Sequence, residues 1–171
     1  VNIKEARRIA QEVIQHTLQH KDESLGVVAM NANQKDLIET EVENLLKDDP
    51  IAQRYIEDHE KSAEPFFVKN LENVQGDERD VIFISFTYGS IESGGPVSQR
   101  FGPINHELGW RRLNVLFTRA KNRITVFSSM SSDNIRVDAR SMLGVRTLRD
   151  YLAYAFNGNL AQPVESGREP D

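Results

Sequence analysis

The segment RLNVLFTRAKNR, residues 112–123, places three arginines and one lysine around a short apolar run. Arg119 stands between a predicted helix and a predicted strand, so both elements would limit the movement of its side chain. Because a guanidinium is planar, it can bind a phosphate through two parallel hydrogen bonds. The segment therefore indicates a phosphate contact, although a surface arginine paired with a carboxylate is the simpler interpretation of these residues alone.

A second group of reactive side chains occupies the segment VQGDERD, residues 74–80, directly before an apolar run. Gly76 permits a close approach of the backbone to a ligand, because it has no Cβ atom. Gln75 offers a donor and an acceptor together, and Glu78 and Arg79 carry opposite charges. Taken alone, the segment is also typical of a polar turn with Gly76 in the left-handed conformation.

A third candidate is the pair Gln34 and Lys35, which opens a predicted helix directly after a short apolar strand. The N-terminus of a helix favours anions, because its first N–H groups lack intrahelical acceptors. A solvated helix start is the simpler alternative.

The composition is that of one globular domain, since 171 residues with 39% hydrophobic and 27% charged residues suffice for a single core. The net charge of −5 argues against a free-standing nucleic-acid-binding domain, which is usually basic. The charge is unevenly spread, however, with acidic residues concentrated in 39–64 and basic residues in 100–123. A local basic surface therefore remains compatible with the sequence.

The sequence has no apolar run long enough to span a membrane and no cysteine, so we expect no membrane segment and no disulfide. The four histidines lack the spacing of metal ligands, and we expect no metal ligand from this chain. A cytoplasmic location is the expectation. Because the chain begins at Val1 without a methionine, we interpret it as a fragment of a larger protein.

Helical and strand-like segments alternate along the chain. Apolar residues at helical spacing predict four helices, over 3–20, 33–48, 107–120 and 144–159. Short apolar runs predict four strands, over 25–30, 66–71, 81–89 and 123–130. Residues 48–64 show only weak helical periodicity, and residues 90–106 form a loop rich in Gly, Pro and Ser.

This alternation predicts an α/β fold with a parallel sheet and helices on both faces. Ligands of such folds lie beyond the carboxyl ends of the strands. We expect one domain over residues 1–157, followed by a disordered tail or linker over 158–171.

In their order along the chain, the three segments resemble the C-terminal RecA-like domain of superfamily 1 helicases, and most closely the Upf1-like branch. The resemblance covers residues 2–156 and extends to large bacterial helicase-like proteins. In the opening NIKEA, Asn2 is predicted to cap the first helix, with Glu5 three residues on as its capping-box partner. The same segment is similar to the N-x-x-E helix start of that family. The residues that match its motifs IV, V and VI are Gln34 and Lys35; Gln75, Gly76, Glu78, Asp80 and Ser85; and Arg111, Arg112, Leu113, Asn114, Val115, Thr118, Arg119, Ala120 and Lys121.

The resemblance implies a RecA-like, P-loop NTPase-type sheet that lacks the P-loop itself. Such helicases hydrolyse ATP between two RecA-like domains, and the first of them supplies the G-x-x-x-x-G-K-[ST] loop and the acidic pair that holds Mg²⁺. In this chain the glycine cluster SGGP has no lysine after it. The implied partner is therefore the first RecA-like domain of the same parent chain, and the isolated fragment is expected to lack ATPase activity.

The resemblance also implies roles for individual residues. Arg119 would be the arginine finger, and Lys35 a second cation near the γ-phosphate. Glu78 would accept from the ribose hydroxyls, Gly76 would leave room for the nucleotide, and Gln75 would couple the nucleotide state to the nucleic acid. The residues implied in binding ATP with Mg²⁺ are Gln34, Lys35, Gln75, Gly76, Glu78 and Arg79.

A single strand of DNA or RNA is the other implied partner, bound through contacts that salt would weaken. The residues implied in this contact are Ser85, Thr87, Tyr88, Arg111, Arg112, Asn114 and Thr118.

Two other interpretations are compatible with the sequence. The chain could be an ATP-uncoupled RecA-like module that binds nucleic acid or protein, because Asn31 replaces an aromatic residue of the family and Lys35 replaces a common arginine. It could instead be a doubly wound domain that binds a small molecule, but then the order of the three segments would be accidental.

Overall fold

A single parallel sheet organises the computed structural model, which describes residues 1–90 and 95–157. The strands are β1 (Leu25–Ala29), β2 (Phe67–Asn70), β3 (Arg79–Ser85) and β4 (Ala120–Phe127), and they lie in the order β2-β1-β3-β4. The α-helices are α1 (Ile3–Gln19), α2 (Ala32–Leu46), α3 (Pro50–Glu60), α4 (Gly109–Phe117) and α5 (Leu143–Asn157). Short 3₁₀ helices span Gly102–Asn105 and Ser132–Asn134.

Alternate side chains of the central strands fill two separate cores. One core lies between the sheet and helices α1, α2 and α3, and contains Val27, Val81 and Phe83. The other lies between the sheet and helices α4 and α5, and contains Ile82 and Ile84. The predicted parallel α/β sheet with helices on both faces is therefore confirmed.

Asparagine and aspartate side chains start the first three helices. The side chain of Asn2 accepts from the Glu5 N–H, that of Asn31 accepts from the Gln34 N–H, and that of Asp49 accepts from two N–H groups at the start of α3. These bonds satisfy N–H groups that have no acceptor within the helix. The predicted cap at Asn2 is confirmed.

The structure differs from the predicted elements in three places. Helix α3 is complete although its sequence is largely polar, because Asp49 caps it and Ala52 and Tyr55 are buried. Strand β3 ends at Ser85 instead of residue 89, since Thr87 has a φ of 68° that interrupts an extended chain. Strand β4 begins at Ala120 instead of residue 123, and the β3 ladder starts there.

Other expectations fall on residues that the structure does not cover. The predicted tail, residues 158–171, and part of the predicted loop, residues 91–94, lie outside the described residues. Among the described residues, no helix is both long and apolar enough to cross a membrane.

His16 is a buried titratable group on the α1 side of the sheet, only 3% exposed. Its Nε2 atom donates to the Glu23 carbonyl at 3.0 Å, while its Nδ1 atom has no hydrogen-bond partner within residues 1–90 and 95–157. The ring packs edge-on against Tyr55 and Phe83. Burial lowers the pKa of His16, because a second proton would bring a charge and an unpaired N–H into this site.

We expect His16 to make the fold less stable at mildly acidic pH. Below the ordinary histidine pKa of 6.5 the unfolded chain takes up a proton that folded His16 refuses, so the free energy of unfolding falls as the pH drops towards the lowered folded pKa. The slope from this one proton is at most about 1.4 kcal/mol per pH unit. Thermal unfolding between neutral and mildly acidic pH should therefore show a flatter dependence for His16→Gln than for the wild type. Equal slopes would contradict this account.

Candidate functional site

The direction of the strands distributes the motif residues between two edges of the sheet. Because all strands are parallel, the residues that precede them meet at the amino edge and the residues that follow them meet at the carboxyl edge. Gln75, Gly76, Glu78 and Arg119 precede β3 or β4 and lie at the amino edge. The carboxyl edge holds the motif residues that end or follow β1 or β3, namely Gln34, Lys35, Ser85, Thr87 and Tyr88.

At the amino edge, two turns are joined by a backbone hydrogen bond. The Arg79 N–H donates to the Arg119 carbonyl at 3.0 Å, which places Glu78 and Arg119 side by side just outside the β3–β4 ladder. Gly76 has a φ of 85°, so the left-handed turn predicted there is confirmed. Gln75, Gly76 and Glu78 are exposed, and the turn presents them to solvent.

The Arg119 guanidinium is oriented by its own helix end. Its Nε atom donates to the Val115 carbonyl at 2.9 Å, and its Nη2 atom donates to the Thr118 hydroxyl at 3.1 Å. The remaining guanidinium N–H groups have no acceptor among the described residues. Both acceptors are neutral, so the simpler interpretation of Arg119 as half of a surface ion pair does not hold in this structure.

Four other cations on this side of the sheet are paired with carboxylates. Lys69 lies 2.6 Å from Asp77, Arg112 lies 3.0 Å from Glu72, and Arg123 lies 3.5 Å from Glu23. Lys121 pairs with Glu64, and this hydrogen bond lowers the pKa of Glu64. Within the part of the chain that the structure describes, Arg119 has no carboxylate within ion-pair distance, so a phosphate could reach its guanidinium without displacing one.

Arg79 does not reach the surface that the sequence predicted for it. It is 5% exposed, and its Nε and Nη1 atoms donate to the carbonyls of Pro65 and Glu78 at 2.7 and 2.6 Å. Its guanidinium carbon lies 4.7 Å from the centre of the Phe67 ring. Arg79 therefore holds the turn before β3 in place in this structure, and its predicted contact with a nucleotide stays a prediction.

Gln34 is likewise buried at the carboxyl edge, with 0% exposure. Its Oε1 atom accepts from the Asn2 N–H at 2.6 Å, and its Nε2 atom donates to the Asn2 carbonyl at 2.9 Å and to the Ser85 hydroxyl at 3.3 Å. Both ends of the amide are therefore occupied within this chain, and the predicted contact of Gln34 with a nucleotide stays a prediction.

The structure also separates Lys35 from Arg119. Lys35 lies in the first turn of α2, at the carboxyl edge, and pairs with Glu39. Arg119 lies at the opposite edge, one length of β3 away, and seven strand residues span roughly 20 Å. This separation does not favour one γ-phosphate contacting both cations, and the role of Lys35 beside the γ-phosphate stays a prediction.

The residues predicted to bind a single strand divide into two groups. Ser85 and Thr87 are buried, and Tyr88 is half-buried with its hydroxyl donating to the Phe101 carbonyl at 2.9 Å. The side chains of Ser85 and Thr87 are therefore not presented to solvent in this structure, and their direct contacts with a single strand stay predictions. The exposed group is Arg111, Arg112, Asn114 and Thr118.

The exposed group lies along α4. Arg111, Asn114 and Thr118 are spaced by three and four residues, so they form one stripe on the helix. Because α4 leads from the carboxyl edge to the start of β4, this stripe ends beside Arg119 at the amino edge. Arg112 lies next to the stripe and is paired with Glu72.

Glu5 has a role that its sequence position did not reveal. The N-x-x-E spacing predicted a capping box, but the Asn2 N–H donates to Gln34 instead of Glu5. The Glu5 carboxylate, 4% exposed, turns towards the ends of β3 and β4. The only sequence signal was the resemblance of NIKEA to the family's helix start.

These features define a class of protein: a RecA-like domain that lacks a phosphate loop and presents an arginine without a carboxylate partner at one edge. A family model described as an AAA domain matches residues 1–131. The chain belongs to this family, as the C-terminal RecA-like domain of Upf1-like superfamily 1 helicases.

Two bacterial helicases are similar to the chain. It is 39% identical over 157 residues to an uncharacterized ATP-dependent helicase of Mycoplasma genitalium, covering 90% of this chain and 13% of that protein. It is 37% identical over 157 residues to a homolog of that helicase in Mycoplasma pneumoniae, with the same coverage of 90% and 13%. The chain thus spans 13% of the length of each relative.

We expect the two arginines of the amino edge to differ in their contribution to stability. Arg79→Ala removes two hydrogen bonds from a buried cation and its packing on Phe67, at a cost of about 2–4 kcal/mol. Arg119→Ala removes only partly exposed contacts and should cost less than about 1 kcal/mol. Urea unfolding of both variants measures the difference, and equal losses would contradict the assignment of Arg79 as structural and Arg119 as functional.

Proposed function

We propose that this chain is the second motor domain of an ATP-dependent superfamily 1 helicase or translocase, and that Arg119 is its arginine finger. The observation that carries the proposal is the Arg119 guanidinium, which is held on a turn between α4 and β4 without a carboxylate partner among the described residues. Neutral acceptors orient it without cancelling its charge. Such a cation is suited to a phosphate that another domain presents.

The chemistry supported by this placement is phosphoryl transfer. ATP would be bound by the first RecA-like domain of the parent chain, and Arg119 would stabilise the charge that develops on the transferred γ-phosphoryl group. In related NTPases such a finger accelerates the reaction by roughly 10³–10⁵. The Mg²⁺ that accompanies ATP would be held mainly by the first domain, since no group of three candidate ligands lies together within residues 1–90 and 95–157.

The turn before β3 supplies the rest of the proposed nucleotide surface. Glu78 lies beside Arg119, is exposed, and would accept from the ribose hydroxyls. Gly76 adds no side chain to this surface. The space beside it is open, since nothing lies within 4 Å of the position that a Cβ atom would take. Gln75 would connect this surface to the nucleic acid as the two domains close and reopen.

Single-stranded DNA or RNA is the proposed second ligand. The stripe offers the Arg111 cation and the Asn114 side-chain amide to a phosphate backbone. The Thr118 hydroxyl at its end is bonded within the chain, to the carbonyls of Asn114 and Val115 and to Arg119. Arg111 lies 5.4 Å from the Trp110 ring, so the aromatic ring supports the guanidinium at the surface. A cytoplasmic location belongs to the same proposal.

One observation favours a second candidate, an ATP-uncoupled RecA-like module that binds nucleic acid or protein. The residue at the family's aromatic position, Asn31, is used to cap α2 and has no ring to stack on an adenine. A domain without that contact could retain its binding surface while losing ATP coupling.

The test is the nucleic-acid-stimulated ATPase of the full-length parent protein with Arg119→Ala. We expect turnover to fall by about 10³-fold while ATP binding is largely kept, because the finger acts on charge that develops during the reaction. Arg8→Ala is the matched control, since Arg8 is an exposed arginine of α1 paired with Glu12. An unchanged rate for Arg119→Ala, or an inactive wild type, would favour the ATP-uncoupled module.

A further inference from the structure

The chain makes an unusual turn directly after β3. Thr87 has a φ of 68°, and it is the one non-glycine residue with positive φ within residues 1–90 and 95–157. The Tyr88 N–H donates to the Phe86 carbonyl at 2.6 Å, which closes a three-residue γ-turn around Thr87. This γ-turn is rare and strained, and a β-branched side chain makes it less favourable still. Something in the structure must therefore hold Thr87 in place.

The holding group is the buried Glu5 carboxylate. Its Oε2 atom accepts from the Thr87 N–H at 2.8 Å and from the Ser85 hydroxyl at 2.7 Å. Its Oε1 atom accepts from the Ser129 N–H at 2.8 Å and from the Asn2 side-chain amide at 2.9 Å. These donors are neutral, and no cation of the described residues pairs with Glu5. The carboxylate thus joins the start of α1 to the ends of β3 and β4.

The γ-turn sets the direction in which the following loop leaves the sheet. Tyr88 comes next, with its ring 5.2 Å from that of Phe101 and its hydroxyl bonded to the Phe101 carbonyl. Phe101 is fully buried and immediately precedes the 3₁₀ helix Gly102–Asn105, which packs on the start of α4 at Gly109. A path of buried contacts therefore leads from Glu5 to the helix that carries the proposed nucleic-acid stripe.

We propose that Glu5 is a positioning residue for single-strand binding: it holds Thr87 in the γ-turn and so keeps Tyr88 against Phe101, which leads into the 3₁₀ helix packed on the start of α4. This inference rests on the proposed function, which supplies the single-stranded ligand. Glu5 touches neither nucleotide nor nucleic acid in this account. It acts through Thr87, the contact of Tyr88 with Phe101, and the 3₁₀ helix Gly102–Asn105.

The experiment compares Glu5→Gln with the wild type in the full-length parent protein. The amide of the variant has one acceptor oxygen and a donating NH₂ group, so it cannot accept from both backbone N–H groups that Glu5 serves. The Kd for a fluorescent oligothymidylate or oligouridylate should rise by about tenfold or more, because the stripe on α4 loses its fixed orientation. The KM for ATP should change by less than about twofold.

A second substitution distinguishes positioning from general damage to the fold. Glycine adopts the conformation of Thr87 without steric cost, so Thr87→Gly should restore single-strand affinity in the Glu5→Gln background. A glutamate needed only for stability would not be rescued in this way. Glu12→Gln, on the same helix but in an ion pair with Arg8, is the matched control and should leave the Kd unchanged.

Amide hydrogen exchange gives a readout that needs no ligand. Peptides covering Thr87 and Tyr88 should exchange at least about tenfold faster in Glu5→Gln than in the wild type. An unchanged exchange rate, an unchanged Kd, or the absence of rescue by Thr87→Gly would each overturn the proposal. If the wild type itself neither binds a single strand nor hydrolyses ATP, the proposed function fails, and the exchange data alone then decide whether Glu5 holds the turn.

Discussion

The uniform direction of the strands is the constraint on which the rest of the structure depends. In a parallel sheet every strand begins at the amino edge and ends at the carboxyl edge. Each connection must therefore cross a face of the sheet to reach the start of the next strand. The sheet order β2-β1-β3-β4 places β3 between two neighbours, and its two ends become the centres of two different sites. At the amino edge lie exposed turns and Arg119, whereas at the carboxyl edge lies a buried carboxylate with neutral donors.

The two edges are connected mechanically by α4. This helix buries Leu113 and Leu116 against the sheet, so it is fixed along its length. The start of α4 is also closely packed. A Cβ atom at Gly109 would lie 2.4 Å from the Ile104 carbonyl oxygen, and one at Gly144 of α5 would lie 2.5 Å from the same oxygen. Both helices therefore approach the backbone of Ile104 too closely for a side chain at these positions. A helix packed in this way can transmit a displacement at the carboxyl edge to the turn that holds Arg119.

The sequence predicted the architecture well, for physical reasons that are local. Strand β3 is recognisable in the sequence as a short apolar run, which matches the burial of nearly all its residues. Gly76 is recognisable because a left-handed turn favours a residue without a Cβ atom. Helix α3 was harder to predict, because its stability depends on the Asp49 cap and on burial of Tyr55, not on a continuous apolar stripe.

The placement of side chains could not be predicted in the same way. Arg79 and Glu78 are adjacent in sequence, yet one is buried and the other is exposed, because Arg79 begins β3 and packs on Phe67 whereas Glu78 stays in the turn before the strand. Glu5 binds Ser129 across 124 positions of the chain, a contact that only the tertiary fold creates. The separation of Lys35 from Arg119 likewise follows from strand direction, which a list of motifs does not contain.

The central claim is that Arg119 faces a phosphate that another domain holds. The most direct measurement is a structure of the full-length parent protein with single-stranded nucleic acid and a transition-state analogue such as ADP with aluminium fluoride. The account predicts that the Arg119 guanidinium lies within hydrogen-bonding distance, about 3 Å, of the γ-phosphate mimic. An Arg119 side chain that points away from the nucleotide, and keeps only its bonds to Val115 and Thr118, would contradict the account.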